Sequence, residues 1–339
     1  MTPDAAAAYL AEIAYLLRQK GDAHRARAFT RVASMLLRER PDLEALRRSG
    51  ALERLPGVGA GIARTLAELV DSGGSSYLER LREEVAPAIA AAGPPLEISA
   101  LVGMGYRGDL HCHTDWSDGG ASVLDMALAA QARGYEYLAI TDHSPRIGVV
   151  NGLGPERLAA QRQVIEQARG QLEALTLLQG VEVDINEDGS LDEPDDALAE
   201  LDVVIASPHV KLRMEPEQMT ERMLRAVEHP EVDMIGHPTG RRPGSRQGAT
   251  YDFEAVFRAA AGRGVVMEID CDPARMDLSP ELAQLAASVG CCFSLDSDAH
   301  APDQLLYVDL GLWMARRAGI GTDRLVNWLP LAELREVLE

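Results

Sequence analysis

Seven short apolar runs set the strongest limit on how this chain can fold. They lie at about 107–112, 136–141, 177–183, 202–206, 232–236, 264–270 and 291–296, and helical patterns at 121–133, 156–173, 217–228, 252–262 and 281–289 separate them. Strand–helix alternation of this length implies parallel strands joined by helical crossovers. Periodicity alone leaves an open sheet and a closed barrel both available.

The polar residues at the strand ends discriminate between the two. The first run ends in His111-Cys112-His113, with Asp118 just beyond, and the second in Asp142-His143. Glu182 lies in the third, His209 follows the fourth and His237 ends the fifth. The sixth carries Glu268 and Asp270, and the seventh leads into Asp298-Ala299-His300. Six of the eight histidines therefore sit at or just past the C-terminal end of a strand, the rim where parallel α/β folds build their active sites. Contributions from every strand meet at one centre only in a barrel. In a strand, residues two apart point the same way, so His111 and His113 can grip one ion while Cys112 faces the helix layer. A set of imidazoles and carboxylates suits Zn, Mn or Fe. Its size exceeds the needs of one tetrahedral ion and fits two or three divalent ions, some sharing a carboxylate. Cys271 follows a strand end as a minor candidate ligand, Cys291 and Cys292 read as core, and His24 and His229 read as surface. Asp142, Glu268 and Asp270 stand beside the set as supporting residues or ordinary strand ends.

Charge separates two parts of the chain. Its 33 Lys+Arg and 53 Asp+Glu leave a net charge of −20, and residues 1–98 hold 13 of each sign, so the whole excess falls on residues 99–339. A part that acidic does not attract phosphate by its general field, so bound cations must supply local positive charge. The neutral part reads as helical: 4–20 and 23–39 have helical spacing with Gly21 between them, short helices follow at 42–48 and 51–55, and another is expected at 77–92. Leu55-Pro56-Gly57-Val58-Gly59-Ala60-Gly61 opens an amphipathic run to about Val70, and Gly93-Pro94-Pro95 marks a boundary. No apolar stretch is long enough for a membrane span, the N-terminus lacks a basic leader, and the cysteines are unpaired in spacing, so a cytoplasmic protein is expected.

The series GDLHCHTDWSDG, AITDHS, GVEVDI, SPH, IGHPTGR, EIDCDPARMDL and DSDAH resembles the PHP (polymerase and histidinol phosphatase) superfamily, above all the C-terminal PHP domain of bacterial family-X DNA polymerases. Residues 5–92 are similar to the helix-hairpin-helix domain that begins those polymerases. The resemblance implies a distorted (β/α)7 barrel over 105–339, a linker over 93–104 and a small all-α domain over 1–92. It also implies a trinuclear site: a first ion on His111, His113, Glu182 and Asp298, a second on Glu182, His209 and His237, a third on Asp118, His143 and His300. The polymerase core has no room between the matching regions. Where some family members carry a Schiff-base lysine on the helix after the hairpin, this chain has Thr65, so a lyase by that route is not expected.

Gly57, Val58, Gly59 and Gly61 form a turn whose backbone N–H groups can face a DNA phosphate, with Arg25, Arg27, Arg31 and Arg64 as added contacts. At the barrel, Lys211, Arg241, Arg242 and Arg275 are expected to orient phosphate, and a water bridging the ions is the expected nucleophile. The reading is a metal-dependent phosphoesterase, a DNA 3′–5′ exonuclease or 3′-end-processing enzyme. A small-molecule phosphatase of histidinol-phosphate type and a non-catalytic DNA-binding scaffold are the alternatives.

Overall fold

The structure is a computed structural model that describes residues 1–85 and 101–338. The N-terminal region is all helical. Helix α1 (Pro3–Gln19) is capped by Thr2, whose hydroxyl accepts from Ala5 N at 3.1 Å. Helix α2 (Ala23–Glu39) is capped by Asp22 in the same way, as side-chain oxygens satisfy the orphan N–H groups of a first turn. Short α3 (Leu43–Arg48) and a 3-10 turn (Leu52–Arg54) lead to the hairpin, α4 (Ala60–Ser72) and α5 (Ser76–Val85). The expected helix at 77–92 thus covers Ser76–Val85, and its remainder, with positions 93–100 of the expected linker, lies outside the described residues. Positions 101–104 form a 3-10 turn pinned by Leu101 N on Asp309 Oδ1, 3.0 Å.

The seven strands are β1 (Gly108–Asp109), β2 (Tyr137–Ile140), β3 (Thr176–Asp184), β4 (Val203–Ser207), β5 (Met234–Ile235), β6 (Val266–Asp270) and β7 (Phe293–Asp296), every neighbouring pair parallel and in chain order. Helices α6 (Val123–Ala132), α7 (Pro155–Arg169), α8 (Asp195–Leu198), α9 (Pro216–Glu228), α10 (Phe253–Arg263) and α11 (Pro280–Ser288) make the crossovers. Helices α12 (Tyr307–Arg317) and α13 (Leu331–Leu338) follow the last strand. Side chains alternate as strand geometry demands. Tyr137, Ala139, Leu178, Val203, Ile205, Met234 and Val266 fill the interior, while Leu138, Ile140, Val181, Val183, Val204, Met267 and Ile269 pack under the helices.

Closure is made by more than strand pairing. At the mouth, Cys112 bridges Ala299 and His113 N donates to Ala299 O at 2.8 Å. Lower down, Leu110 N turns to the Asp296 carboxylate, 2.9 Å, which is why β1 stops at Asp109 rather than running to 112. Asn327 fills the remaining gap. Its amide donates to Gly108 O and Asp296 Oδ1, both at 2.9 Å, and accepts from Leu295 N at 2.6 Å. Val326 and Leu334 seal the bottom of the interior. Cys291 is core as expected, whereas Cys292 is exposed: the chain turns there before β7 begins.

The helical region docks directly on the barrel. Tyr15 of α1 meets Trp313 of α12 edge-on, ring centroids 4.9 Å apart. Buried Glu12 takes both Nε and NH2 of buried Arg82 at 2.8 and 2.9 Å and reaches Arg317 of α12 at 3.4 Å. Apolar residues of α1 and α2 belong to the same buried cluster as the outer barrel layer.

Candidate metal centre

Glu182 stands at the centre of the barrel mouth. It is the fourth residue from the inner-facing Leu178 on β3, so strand parity turns it inward. One carboxylate oxygen, Oε1, lies 3.1 Å from His209 Nε2 and 2.7 Å from His237 Nε2. The other, Oε2, lies 2.8 Å from His143 Nδ1, 3.5 Å from His111 Nε2 and 3.6 Å from His113 Nε2. Asp298 Oδ1 is 3.0 Å from His113 Nε2 and 3.8 Å from His111 Nε2. Asp118 Oδ1 faces His143 Nε2 at 3.7 Å and His300 Nε2 at 3.5 Å. The structure thus brings all nine expected ligands together, and three overlapping groups have donor atoms close enough to share an ion: His111, His113 and Asp298; His143, Glu182 and His209; His113, Asp118, His143 and His300.

The chemistry of this set fits bound cations. Both Glu182 oxygens, both ring nitrogens of His209 and His237, and Nδ1 of His113 and His143 are buried without a hydrogen-bond partner among the described residues. The Nε2 atoms of His111 and His113 approach to 3.2 Å. Burial of so many converging lone pairs is costly unless they are satisfied, and divalent ions satisfy them. Burial pushes the Glu182 carboxyl up, but His209, His143, His111 and His237 outweigh it and hold it well below the usual carboxylate range. Burial, with His300 and His143 beside it, lowers His113 to about 3, so its ring is a neutral donor. His237 and Asp298 hold left-handed backbone at φ 24° and 48°, a conformation that for such residues is concentrated at functional sites.

A surrounding layer orients the donors. Glu268 Oε1 lies 2.6 Å from His111 Nδ1, which leaves Nε2 for the centre, and Glu268 also accepts from His237 N. Asp184 faces His209 Nδ1 at 3.3 Å. Sequence reasoning misses it, although it ends β3 and the alternation Val181-Glu182-Val183-Asp184 carries its signal. Asp142 touches no donor of the set. It accepts from Thr114 N at 2.8 Å, Thr114 Oγ1 at 2.6 Å and Gln161 Nε2 at 2.7 Å, and so anchors the loop that carries Asp118. Cys271 is directed away, its thiol on Ile269 O at 3.3 Å in the outer layer.

The expected phosphate-orienting cations divide. Buried Arg275 places Nε 3.0 Å from Asp298 Oδ2 and 3.4 Å from Asp270 Oδ2, while its NH1 is buried without a partner. Lys211 is exposed on the rim, as is Arg242. Arg241 turns to the helical region instead, 5.8 Å from the Tyr15 ring centroid and donating to Met276 O. Away from the barrel, Gly57 (φ 77°), Gly59 and Gly61 sit at the hairpin, with Gly59 capping α4 without a side chain. Gly57, Gly59 and Gly61 line a groove of about 750 Å³ together with Arg25, Arg64 and Arg80. Val58 is buried and does not face it.

The parallel barrel and the histidine–carboxylate cluster in its mouth define the class, a metal-dependent phosphoesterase. The PHP domain family matches residues 109–266 and a helix-hairpin-helix domain family matches residues 1–75. A probable phosphatase of Thermoanaerobacter sp. (strain X514) is 30% identical over 243 residues, 68% of this chain and 94% of that protein. The DNA polymerase/3′-5′ exonuclease PolX of Bacillus subtilis is 36% identical over 260 residues, 75% of this chain; the chain spans 46% of that protein's length. The solved histidinol phosphate phosphatase of Lactococcus lactis superposes with a TM-score of 0.47 at 18% identity, covering 64% of this chain and 95% of that one, too low a likeness to bear on the fold. The chain belongs to the PHP family.

Proposed function

We propose that the protein hydrolyses phosphodiester bonds at the 3′ end of DNA. The observation that carries this reading is the hairpin groove, where arginines and the open N-terminus of α4 stand on a helical region docked against the barrel. A phosphatase for small esters has no use for such a surface. His111, His113, Glu182 and Asp298 would hold one ion, Glu182, His209 and His237 a second, and Asp118, His143 and His300 a third. Divalent ions in such a cluster supply Lewis acidity toward phosphoryl oxygens and toward an attacking water.

The chain's own residues position that chemistry. Glu268 sets the His111 tautomer, Asp184 faces the far nitrogen of His209, and Arg275 holds Asp298 while its free NH1 is available to a phosphoryl oxygen. Lys211, on the exposed rim, is the second candidate for that contact. Backbone N–H groups at Gly59 and Gly61, with Arg64 and Arg25, would hold DNA by phosphate and carry no base preference.

A second reading, hydrolysis of small phosphomonoesters, has the support of the probable phosphatase that this chain covers almost entirely and of the acidic barrel. Turnover compared on a 3′-labelled oligonucleotide and on a panel of phosphate monoesters separates the two. Oligonucleotide shortening from the 3′ end at the higher kcat/KM is expected. Turnover of monoesters alone overturns the DNA reading.

A further inference from the structure

A second basic cleft lies where the helical region meets the barrel. It encloses about 490 Å³ between Arg18 at the end of α1, His24, Arg27 and Arg31 on one face of α2, and Asp272 and Tyr307 of the barrel. Positions 24, 27 and 31 share a helix face because they are three and four residues apart. Arg18 is only 6% exposed, and its Nε has no hydrogen-bond partner among the described residues. Among the described residues, none of Arg18, Arg27 and Arg31 has a carboxylate within ion-pairing distance. Arg27 and Arg31 are exposed at the cleft's edge.

A buried guanidinium without a partner is costly, and a protein of net charge −20 has carboxylates to spare. Three arginines gathered around one cleft, against the single carboxylate of Asp272, form a seat for an anion. The cleft's position indicates which anion. His24 lines both this cleft and the hairpin groove, so the two adjoin at α2. On the barrel side, Asp272 O accepts from Arg275 N at 2.8 Å, and Arg275 lies on Asp298 of the metal centre. The cleft therefore lies between the hairpin groove and the loop that carries Arg275 to the metal centre. The Tyr15–Trp313 and Glu12–Arg82–Arg317 contacts fix the two ends relative to each other.

We propose that the seam cleft binds the phosphodiester backbone of a single nucleic-acid strand on its way from the hairpin to the barrel mouth. This rests on the DNA reading above and extends it. Hairpin and mouth hold one continuous strand, and Arg18, Arg27 and Arg31 neutralise the phosphates between them.

The test is binding of a 3′-fluorescent single-stranded oligonucleotide to the full chain, measured by anisotropy over a series of salt concentrations, beside cleavage of the same oligonucleotide. The variant R27Q/R31Q removes two exposed charges. The variant R258Q/R263Q makes the same charge change on α10, away from the cleft, as a control. Arg27 and Arg31 are expected to account for about tenfold in Kd, and their loss to flatten the log Kd against log salt slope by about 1.4, at about 0.7 per single-strand phosphate contact. The control should leave both unchanged, and Arg18→Gln, checked by its melting temperature, should act in the same direction. Unchanged affinity and slope in R27Q/R31Q overturn the proposal, as does equal weakening by the control. Loss of inorganic phosphate binding with intact oligonucleotide binding overturns it too, since the cleft would then take a free anion. Arg27/Arg31-dependent binding without cleavage supports the cleft and sinks the end-processing reading. Undiminished cleavage and binding in R27Q/R31Q sinks the cleft and leaves that reading standing.

Discussion

The barrel mouth and the hairpin groove are built by opposite means. At the mouth, Glu182, Asp298 and Asp118 are gathered with six imidazoles, and Arg275 is bound to Asp298. Such a site draws its positive charge toward phosphate from the divalent ions its donors would hold. At the hairpin the positive charge is intrinsic and solvated: Arg25, Arg64 and Arg80 around the N-terminus of α4, which has no capping side chain. The first arrangement can stabilise charge that develops in a reaction, because it is buried and rigid. The second can hold charge already present but is too open to do chemistry. Binding and catalysis are thus separable along the chain, although the two regions share a buried interface.

The sharpest break in this comparison is loss of a donor at the mouth. Asp298→Ala should remove bound metal, measured by elemental analysis, and lower hydrolysis of any substrate by at least about a thousandfold, since a bound ion contributes several kcal/mol to the transition state. Oligonucleotide binding should persist. Full activity in a metal-free protein would refute the mechanism. Next in size is Glu268→Gln, which leaves every donor in place but weakens the carboxylate that orients His111; metal affinity or kcat should fall about 10- to 100-fold. A neutral effect would show that packing alone orients the ring.

At the hairpin the effect is smaller and of a different kind. Arg64→Gln should raise the oligonucleotide KM several-fold with kcat unchanged, and reduce the salt slope by about 0.7. A fall in kcat instead would mean that the hairpin reaches the reacting bond. Asn327→Ala should scarcely touch turnover. Loss of its three buried hydrogen bonds should cost about 3 kcal/mol, read as a lower melting temperature with metal content unchanged. The smallest effect is expected at Thr65, which is buried with its hydroxyl on Gly61 O at 3.3 Å. Borohydride should trap no adduct with a 5′-deoxyribose phosphate end, and a trapped adduct would give the hairpin a chemistry of its own.

The helical region does not come away from the barrel cleanly. Charge alone marks that part as separable. In the structure α1 covers Trp313 and Glu12 reaches Arg317, so truncation exposes apolar surface and takes a carboxylate from Arg317. Point changes in the groove avoid both effects.

The sequence was most informative where a local rule has one outcome. The period-two pattern places Glu182 on the inner face whatever surrounds it, and the apolar runs predict all seven strands, with β1 and β5 shorter than expected. It was least informative about side chains that are satisfied from a distance. Asn327 reads as an ordinary polar residue in a tail, yet it donates to Gly108, 219 positions away. Arg27 and Arg31 group with Arg25 and Arg64 as hairpin contacts in the sequence. The turn of α2 sends them to the seam instead.

The spacing of the chain by itself determined the strand–helix alternation, the crowding of histidines and carboxylates at strand ends, and the neutrality of the helical part against the acidity of the barrel. These follow from periodicity and composition, which need only neighbours along the chain. Tertiary structure alone decided that Glu182 faces five imidazoles, that Glu268 and Asp184 address His111 and His209, that an asparagine closes the barrel, and that three arginines meet at a seam. Each depends on the direction of a side chain in a fold whose contacts join residues far apart in sequence, and no local pattern encodes that direction.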